Sequence, residues 1–324
     1  MINAAIVGLG RWGQNLVSSV QGKSERLRFV RGMVRRPDAV CDFAALHGMR
    51  LSSDLADVLT DPDVQAVVLA TPHSLHTQQI IAAAAAGKPV FCEKPLALTR
   101  ADAERAVNAC KQAGVPLGVG HDKRFVASMR ELKRVVASGE LGEILHVEGN
   151  SSNENSRRFY TAWRESPAES PGASMTGTGI HIVDAFVNLI GPVRRVQAQL
   201  ISRKPPPDVL DTVSVLFEFE NRVSGVLCGV RATPFFWRVH VFGTLGSAEA
   251  LGQSDLVLRM TGVKPQHLSF EPVDALCIEL DAFADAIAGR TPYPIPTAQI
   301  IDTVAAFEAT IKSMESNAPV LVNE

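Results

Sequence analysis

The chain has 324 residues, 32 Lys plus Arg against 34 Asp plus Glu, a formal net charge of −2 and 46 % apolar residues. Near-neutral charge excludes a strongly basic nucleic-acid binder, whose phosphate contacts need a concentrated cationic face. The length exceeds what one core fills, since single cores stop growing near roughly 250–300 residues, so two domains are expected.

Residues 1–20 lack a basic leader and carry Arg11 and Gln14 within their apolar run, which is unlike a signal peptide. Five short apolar runs follow one another at 2–7, 29–34, 64–70, 89–92 and 116–119. They are rich in Val and Ile and apolar on both faces, as buried parallel strands are. Helical patterns alternate with them: 80–86 ends at Gly87, and Arg100–Ala113 sits between a capping Thr99 and a terminating Gly114. This alternation predicts an α/β, doubly wound Rossmann domain over 1–121.

The texture changes beyond His121. A helix is expected at 128–137, a strand at 144–150 and a helix at 181–190, around a polar, aperiodic stretch over 151–175. That stretch contains Arg157, Arg158 and Arg164, candidates to meet an acidic substrate, and is too long for an idle connector. From 193 to about 261 the period is two, with Val213, Val215, Phe217 and Phe219 on one face and Thr212, Ser214, Leu216 and Glu218 on the other. Helices at 278–288 and 297–313 close the chain. The second domain, 122–324, is therefore expected to be α+β with a large, mainly antiparallel open sheet. No run of about 18 apolar residues occurs, so no membrane span is expected. Five scattered cysteines without a C-x-x-C pair read as reduced thiols of a cytoplasmic protein.

Gly8-Leu9-Gly10-Arg11-Trp12-Gly13 is a G-x-G-x-x-G directly after a predicted strand and opening a helix. Gly8 permits the tight turn, Gly10 lets backbone approach a pyrophosphate, and Gly13 seats the helix close to the strand. The helix N-terminus offers N–H groups to the anion. At the end of the second strand an NAD site usually carries an acid, but Arg35 and Arg36 stand here, with Asp38 the nearest carboxylate. Two guanidiniums suit a 2′-phosphate, so NADP is preferred over NAD.

Two further strand ends carry polar residues: Ala70-Thr71-Pro72-His73-Ser74-Leu75-His76 and Cys92-Glu93-Lys94-Pro95-Leu96. At these motifs the chain resembles the Gfo/Idh/MocA family of NAD(P)-dependent oxidoreductases, which act mostly on sugars, inositols and related carbonyls or alcohols. The likeness continues through Arg124-Phe125, Gly139-Glu140-Leu141-Gly142, Gly179-Ile180-His181-Ile182-Val183-Asp184 and Phe242-Gly243-Thr244-Leu245-Gly246. Glu93-Lys94-Pro95 is its most specific element.

The resemblance implies hydride transfer between the cofactor and a secondary alcohol or carbonyl. Lys94 is then the proton-transferring amine, His181 an acid/base or orienting group, and Asp184 a carboxylate one helical turn later. Thr71, Pro72, His73, His76, Glu93, Lys94 and Pro95 join Gly8–Gly13, Arg35 and Arg36 as cofactor-side residues. An alkoxide formed by hydride addition needs a proton donor, and a lysine or histidine near neutrality supplies one. His73 and His76 lack the neighbouring ligand set of a metal site, and no metal is expected. The resemblance also implies a homodimer or homotetramer through the C-terminal sheet.

One departure stands out. The family often places an aspartate four residues before the histidine, and Gly177 stands there. That substitution motivates a second reading, a non-catalytic dinucleotide sensor. A third, an NAD-dependent redox-assisted glycosidase, is opposed by Arg35 and Arg36.

Overall fold

A computed structural model describes residues 1–154 and 162–323; Arg157 and Arg158 of the expected irregular stretch lie outside the described residues. β1 (Ile2–Val7) has its last four residues fully buried. It leads through the glycine-rich turn into α1 (Arg11–Val20) and then β2 (Leu27–Met33). Next come α2 (Cys41–Leu46), β3 (Arg50–Ser52), α3 (Leu55–Thr60), β4 (Ala66–Leu69) and α4 (His76–Ala85). β5 (Val90–Glu93), α5 (Arg100–Ala113) and β6 (Leu117–Gly120) complete the run.

The six strands are all parallel in the order β3-β2-β1-β4-β5-β6, the doubly wound arrangement expected. Thr99 caps α5 by accepting from the Asp102 N–H, and Gly114 ends it in the left-handed region at φ 67°. The sequence reading omits β3, α2 and α3. A three-residue edge strand with one buried residue and two six-residue helices are too short to show a period.

α6 (Ala127–Ser138) and β7 (Ile144–Ser152) open the next part. A π-helical turn, Met175–Gly179, runs directly into α7 (Ile180–Leu189). Then follow β8 (Val193–Ile201), β9 (Thr212–Phe219), β10 (Ser224–Val230), β11 (Phe236–Gly243), β12 (Gly246–Leu251), β13 (Asp255–Met260) and β14 (Gln266–Ser269). The chain closes with α8 (Ala275–Ile287), α9 (Thr297–Ser316) and β15 (Val320–Leu321). The nine strands pair in the order β14-β13-β12-β11-β7-β10-β9-β8-β15, antiparallel except for β7 against β10.

The period-two pattern of β9 is realised: Val213, Val215, Phe217 and Phe219 are buried, while Leu216 is 57 % exposed. α7 lies on β7 because Gly149 has no side chain; a Cβ there would overlap Ile182 and come 2.9 Å from the Phe186 ring. Phe186 packs edge-on against Phe217 and Phe219, with ring centroids 5.5 and 6.1 Å away. This packing fixes the pitch of the helix that carries His181 and Asp184.

Two compact units result. One holds Met1–Asp122 and Asp274–Ile300; the other holds Lys123–Val273 and the segment from Ile301 onward. The expected division into 1–121 and 122–324 thus needs correcting for α8, which returns to the first unit. Its Leu280, Phe283 and Ala284 join the core of the parallel sheet, where Phe283 meets Phe91 at 5.7 Å. Ser19 of α1 also donates to Asp274 at 2.9 Å. Chain position alone does not reveal which sheet an amphipathic helix covers.

Candidate active site

The glycine-rich turn has the geometry its motif requires. Gly8 adopts φ +98°, and a Cβ there would stand 2.5 Å from the Ala70 carbonyl oxygen, where β1 and β4 diverge. A Cβ on Gly13 would overlap the Gly8 carbonyl oxygen, so α1 can sit this close only with glycine. Gly10 is the N-cap of α1, provides no side-chain cap, and a Cβ on it would meet nothing within 4 Å. A helix start facing open space with no side chain in front of it fits a pyrophosphate. Leu9 contributes backbone only, because its side chain is buried against Gly32; Arg11 is exposed and Trp12 half-buried.

Arg35 and Arg36 follow β2 at the same edge, exposed and with no ion pair to any described residue. Other arginines of this unit are committed: Arg31 pairs with Asp61 at 2.5 Å, and Arg50 with Asp61 at 2.9 Å.

The turns after β4 and β5 stand beside this loop. Thr71 donates its hydroxyl to Gln79 at 2.6 Å, Pro72 precedes a short 3-10 turn, and the Lys94–Pro95 peptide is cis. Lys94 is half-buried and His73 half-buried. His76 departs from its expected cofactor-side place. Its ring is fully buried, with Nδ1 2.8 Å from the Pro95 carbonyl oxygen and Nε2 3.0 Å from that of Thr71. It joins the two turns from beneath instead of facing a ligand.

Glu93 is also buried, and its Oε2 accepts the Lys94 N–H at 3.3 Å. Gly120 makes the room, since a Cβ there would come 2.8 Å from Oε1. Burial pushes the Glu93 carboxyl up to about 7, against the opposing pull of the Trp12 indole N–H and the Lys94 charge; Asp122 reinforces the rise. The unfolded chain, with an ordinary carboxyl near 4.5, then holds fewer protons than the folded one between those values, so stability falls as pH rises from about 4.5 to 7. Glu93→Gln is expected to flatten that slope, on the order of 3 kcal/mol across the window. Chemical denaturation at a series of pH values checks it, and an unchanged slope assigns the titration elsewhere.

In the second unit, His181 is half-buried in the first turn of α7, and Asp184 follows one turn later, buried. The expected catalytic part for Asp184 needs correcting. Its carboxylate is gripped by Arg124, with Nε 3.1 and 2.9 Å from Oδ1 and Oδ2, and Nη2 2.7 Å from Oδ1. The two side chains are only 7 % and 2 % exposed. Arg124 Nη1 also donates to Asn188 Oδ1 at 3.2 Å. A carboxylate occupied along both oxygens by a buried guanidinium holds α7 in place and is poorly disposed to exchange protons with a substrate.

Sequence reasoning marked Arg124 as part of a motif but assigned it no task, because 60 residues separate the partners and no local spacing links them. It also missed the buried pairing of His76 with Pro95. Gly177 lies in the π turn, exposed, and a Cβ there would meet nothing within 4 Å, so the position admits a side chain but carries none. π turns of this kind recur at functional sites.

Glycine-rich turn, exposed arginines and lysine-bearing turn lie at the carboxyl edge of one doubly wound sheet, the place and form of a dinucleotide-binding fold. Residues 2–121 match the family model of the Gfo/Idh/MocA oxidoreductases with an NAD-binding Rossmann fold, and residues 129–249 match the Gfo/Idh/MocA C-terminal domain. The chain belongs to the Gfo/Idh/MocA oxidoreductase family.

It is 43 % identical over 269 residues to a 1,5-anhydro-D-fructose reductase of Ensifer adhaerens, covering 76 % of this chain and 77 % of that protein. It is 32 % identical over 292 residues to inositol 2-dehydrogenase 2 of Saccharopolyspora erythraea, covering 86 % and 83 %. Its fold matches that of a levoglucosan dehydrogenase solved with NADH and levoglucosan, with a TM-score of 0.90 over the whole of both chains at 22 % identity. No helix among the described residues is long and apolar enough to cross a membrane.

Proposed function

We propose that this protein moves hydride between NADP(H) and a secondary alcohol or carbonyl carbon of a small sugar-like substrate, with Lys94 as the principal proton donor and acceptor. The observation that carries the chemistry is the placement of Lys94 at the end of β5, on the edge where the glycine-rich turn opens. The bound dinucleotide supplies or takes the hydride. In the reductive direction the carbonyl oxygen gains charge as its carbon accepts hydride, and the Lys94 ammonium stabilises that oxygen and passes it a proton. In oxidation the amine removes the hydroxyl proton. His181 is assigned a supporting part in orienting the hydroxyl. Asp184 is assigned to holding α7 through Arg124, outside the proton path.

Sugar-like substrates are supported by the reductase and dehydrogenase names of the two relatives. The test is a panel of anhydroketoses, keto-sugars and inositols with NADPH and NADH, followed by nicotinamide absorbance. Dinucleotide binding without turnover across the panel would favour the sensor reading instead.

NADP preference is supported by the exposed, uncommitted guanidiniums of Arg35 and Arg36 at the end of β2. A charge-assisted hydrogen bond to a phosphate contributes about 1.5–3 kcal/mol. Arg35→Asp is therefore expected to shift the kcat/KM ratio of NADPH to NADH by about ten- to a hundredfold toward NADH. An unchanged ratio makes Arg35 a bystander. We further assign the protein to the cytoplasm, consistent with free cysteines throughout the chain. Self-association is assigned to the outer face of the nine-stranded sheet, where Leu216 and Phe236 are exposed.

A further inference from the structure

His76 opens α4 with its ring fully enclosed, and both ring nitrogens meet carbonyl oxygens, Pro95 at 2.8 Å and Thr71 at 3.0 Å. A carbonyl oxygen only accepts. A neutral imidazole offers one N–H and one lone pair, so it can serve one of these carbonyls while its lone pair is set against the other. Only the imidazolium donates to both.

Burial and the positive end of α4 act against a charge at this place. Two charge-assisted N–H···O bonds act for it, each stronger than a neutral one. Among the described residues, the ring of His73 stands edge-on at 5.8 Å, and Cys92, Glu93 and Lys94 sit at and just after the end of β5, beside Pro95. An ionised Glu93 favours the charge; Lys94 and a protonated His73 oppose it.

We propose that His76 is held doubly protonated and serves as a positioning residue, tying the turn after β4 to the turn that carries Lys94. Thr71 and Pro95 belong to separate strand ends, and the ring is the bridge between their backbones. Two donated bonds fix where the Lys94 backbone stands at the sheet edge, and with it the reach of the ammonium. The charge state rests on geometry alone, whereas its consequence for turnover rests on the reading of Lys94 as proton donor.

The charge state is read in the unliganded, isotope-labelled protein from long-range proton–nitrogen spectra of its eight histidines. One ring is expected to keep both nitrogens protonated at about pH 8, where an unperturbed histidine is neutral. Its signals are expected to vanish in His76→Gln. Neutral rings throughout at that pH overturn the proposal, and since the spectrum needs no variant, it decides even where His76→Gln folds poorly. In the folded variant a single amide replaces two ring donors on opposite sides. kcat is expected to fall by about 10²-fold, as a misplacement near 1 Å produces, with NADPH binding kept within a few-fold. An unchanged kcat overturns the positioning role while leaving the reading of Lys94 to its own substitution.

Discussion

Lys94→Ala is expected to lower kcat by about 10²–10⁴-fold, the range that a positioned proton donor contributes, while leaving NADPH affinity nearly unchanged. The separation follows from the fold. The elements proposed to bind the anion are the Gly8–Gly13 turn and the start of α1, and Lys94 belongs to a different strand end. Removing its side chain leaves the turn glycines, the helix terminus and Arg35 intact. Lys94→Arg sharpens the test: it keeps a cation that can stabilise a developing alkoxide but cannot give up its proton near neutrality. kcat is expected to remain low in Lys94→Arg if proton delivery dominates, and to recover substantially if charge alone suffices. Steady-state kinetics paired with fluorescence titration of NADPH measures both. Wild-type turnover in Lys94→Ala would remove the residue from the reaction.

The second large effect is expected in stability. Asp184→Ala leaves the Arg124 guanidinium, 7 % exposed, without its carboxylate. Removing the carboxylate of a buried ion pair costs about 3–5 kcal/mol, because the guanidinium stays buried while the charge that balanced it is gone. The denaturation midpoint of Asp184→Ala is expected to drop accordingly. Replacing both residues by leucine, which removes the stranded charge, is expected to restore most of the loss. A proton-transferring Asp184 would behave oppositely: Asp184→Asn would abolish turnover with the midpoint held. Equilibrium denaturation of the two single variants and the double variant, read beside kcat, separates these outcomes. The same cycle shows how much of the seating of α7, and so of His181, depends on Arg124.

The parts legible in the sequence are those written in short-range chemistry. The glycine-rich turn was readable because each glycine answers a local steric demand, and the structure bears this out at Gly8 and Gly13. Thr99 and Gly114 as the ends of α5, and the alternating faces of β9, were equally local. The apolar pattern at 80–86 begins later than α4 does, because His76 and Thr77 are polar yet buried and interrupt the pattern that marks a helix face. The case of His76 is similar: its type suggests chemistry at a ligand, and nothing adjacent discloses that two backbone carbonyls meet its ring.

Local spacing, turn sterics and strand periodicity were enough to set the fold class of both parts and to mark the glycine-rich loop, since those signals act over a few residues, while Lys94 was marked by the family resemblance of Glu93-Lys94-Pro95. Tertiary structure alone decided that Asp184 is bound to an arginine 60 residues away, that Glu93 is enclosed and its acidity weakened, and that α8 covers the first sheet. Partnership and desolvation depend on which distant segments fold against a group, and a linear pattern carries no record of that.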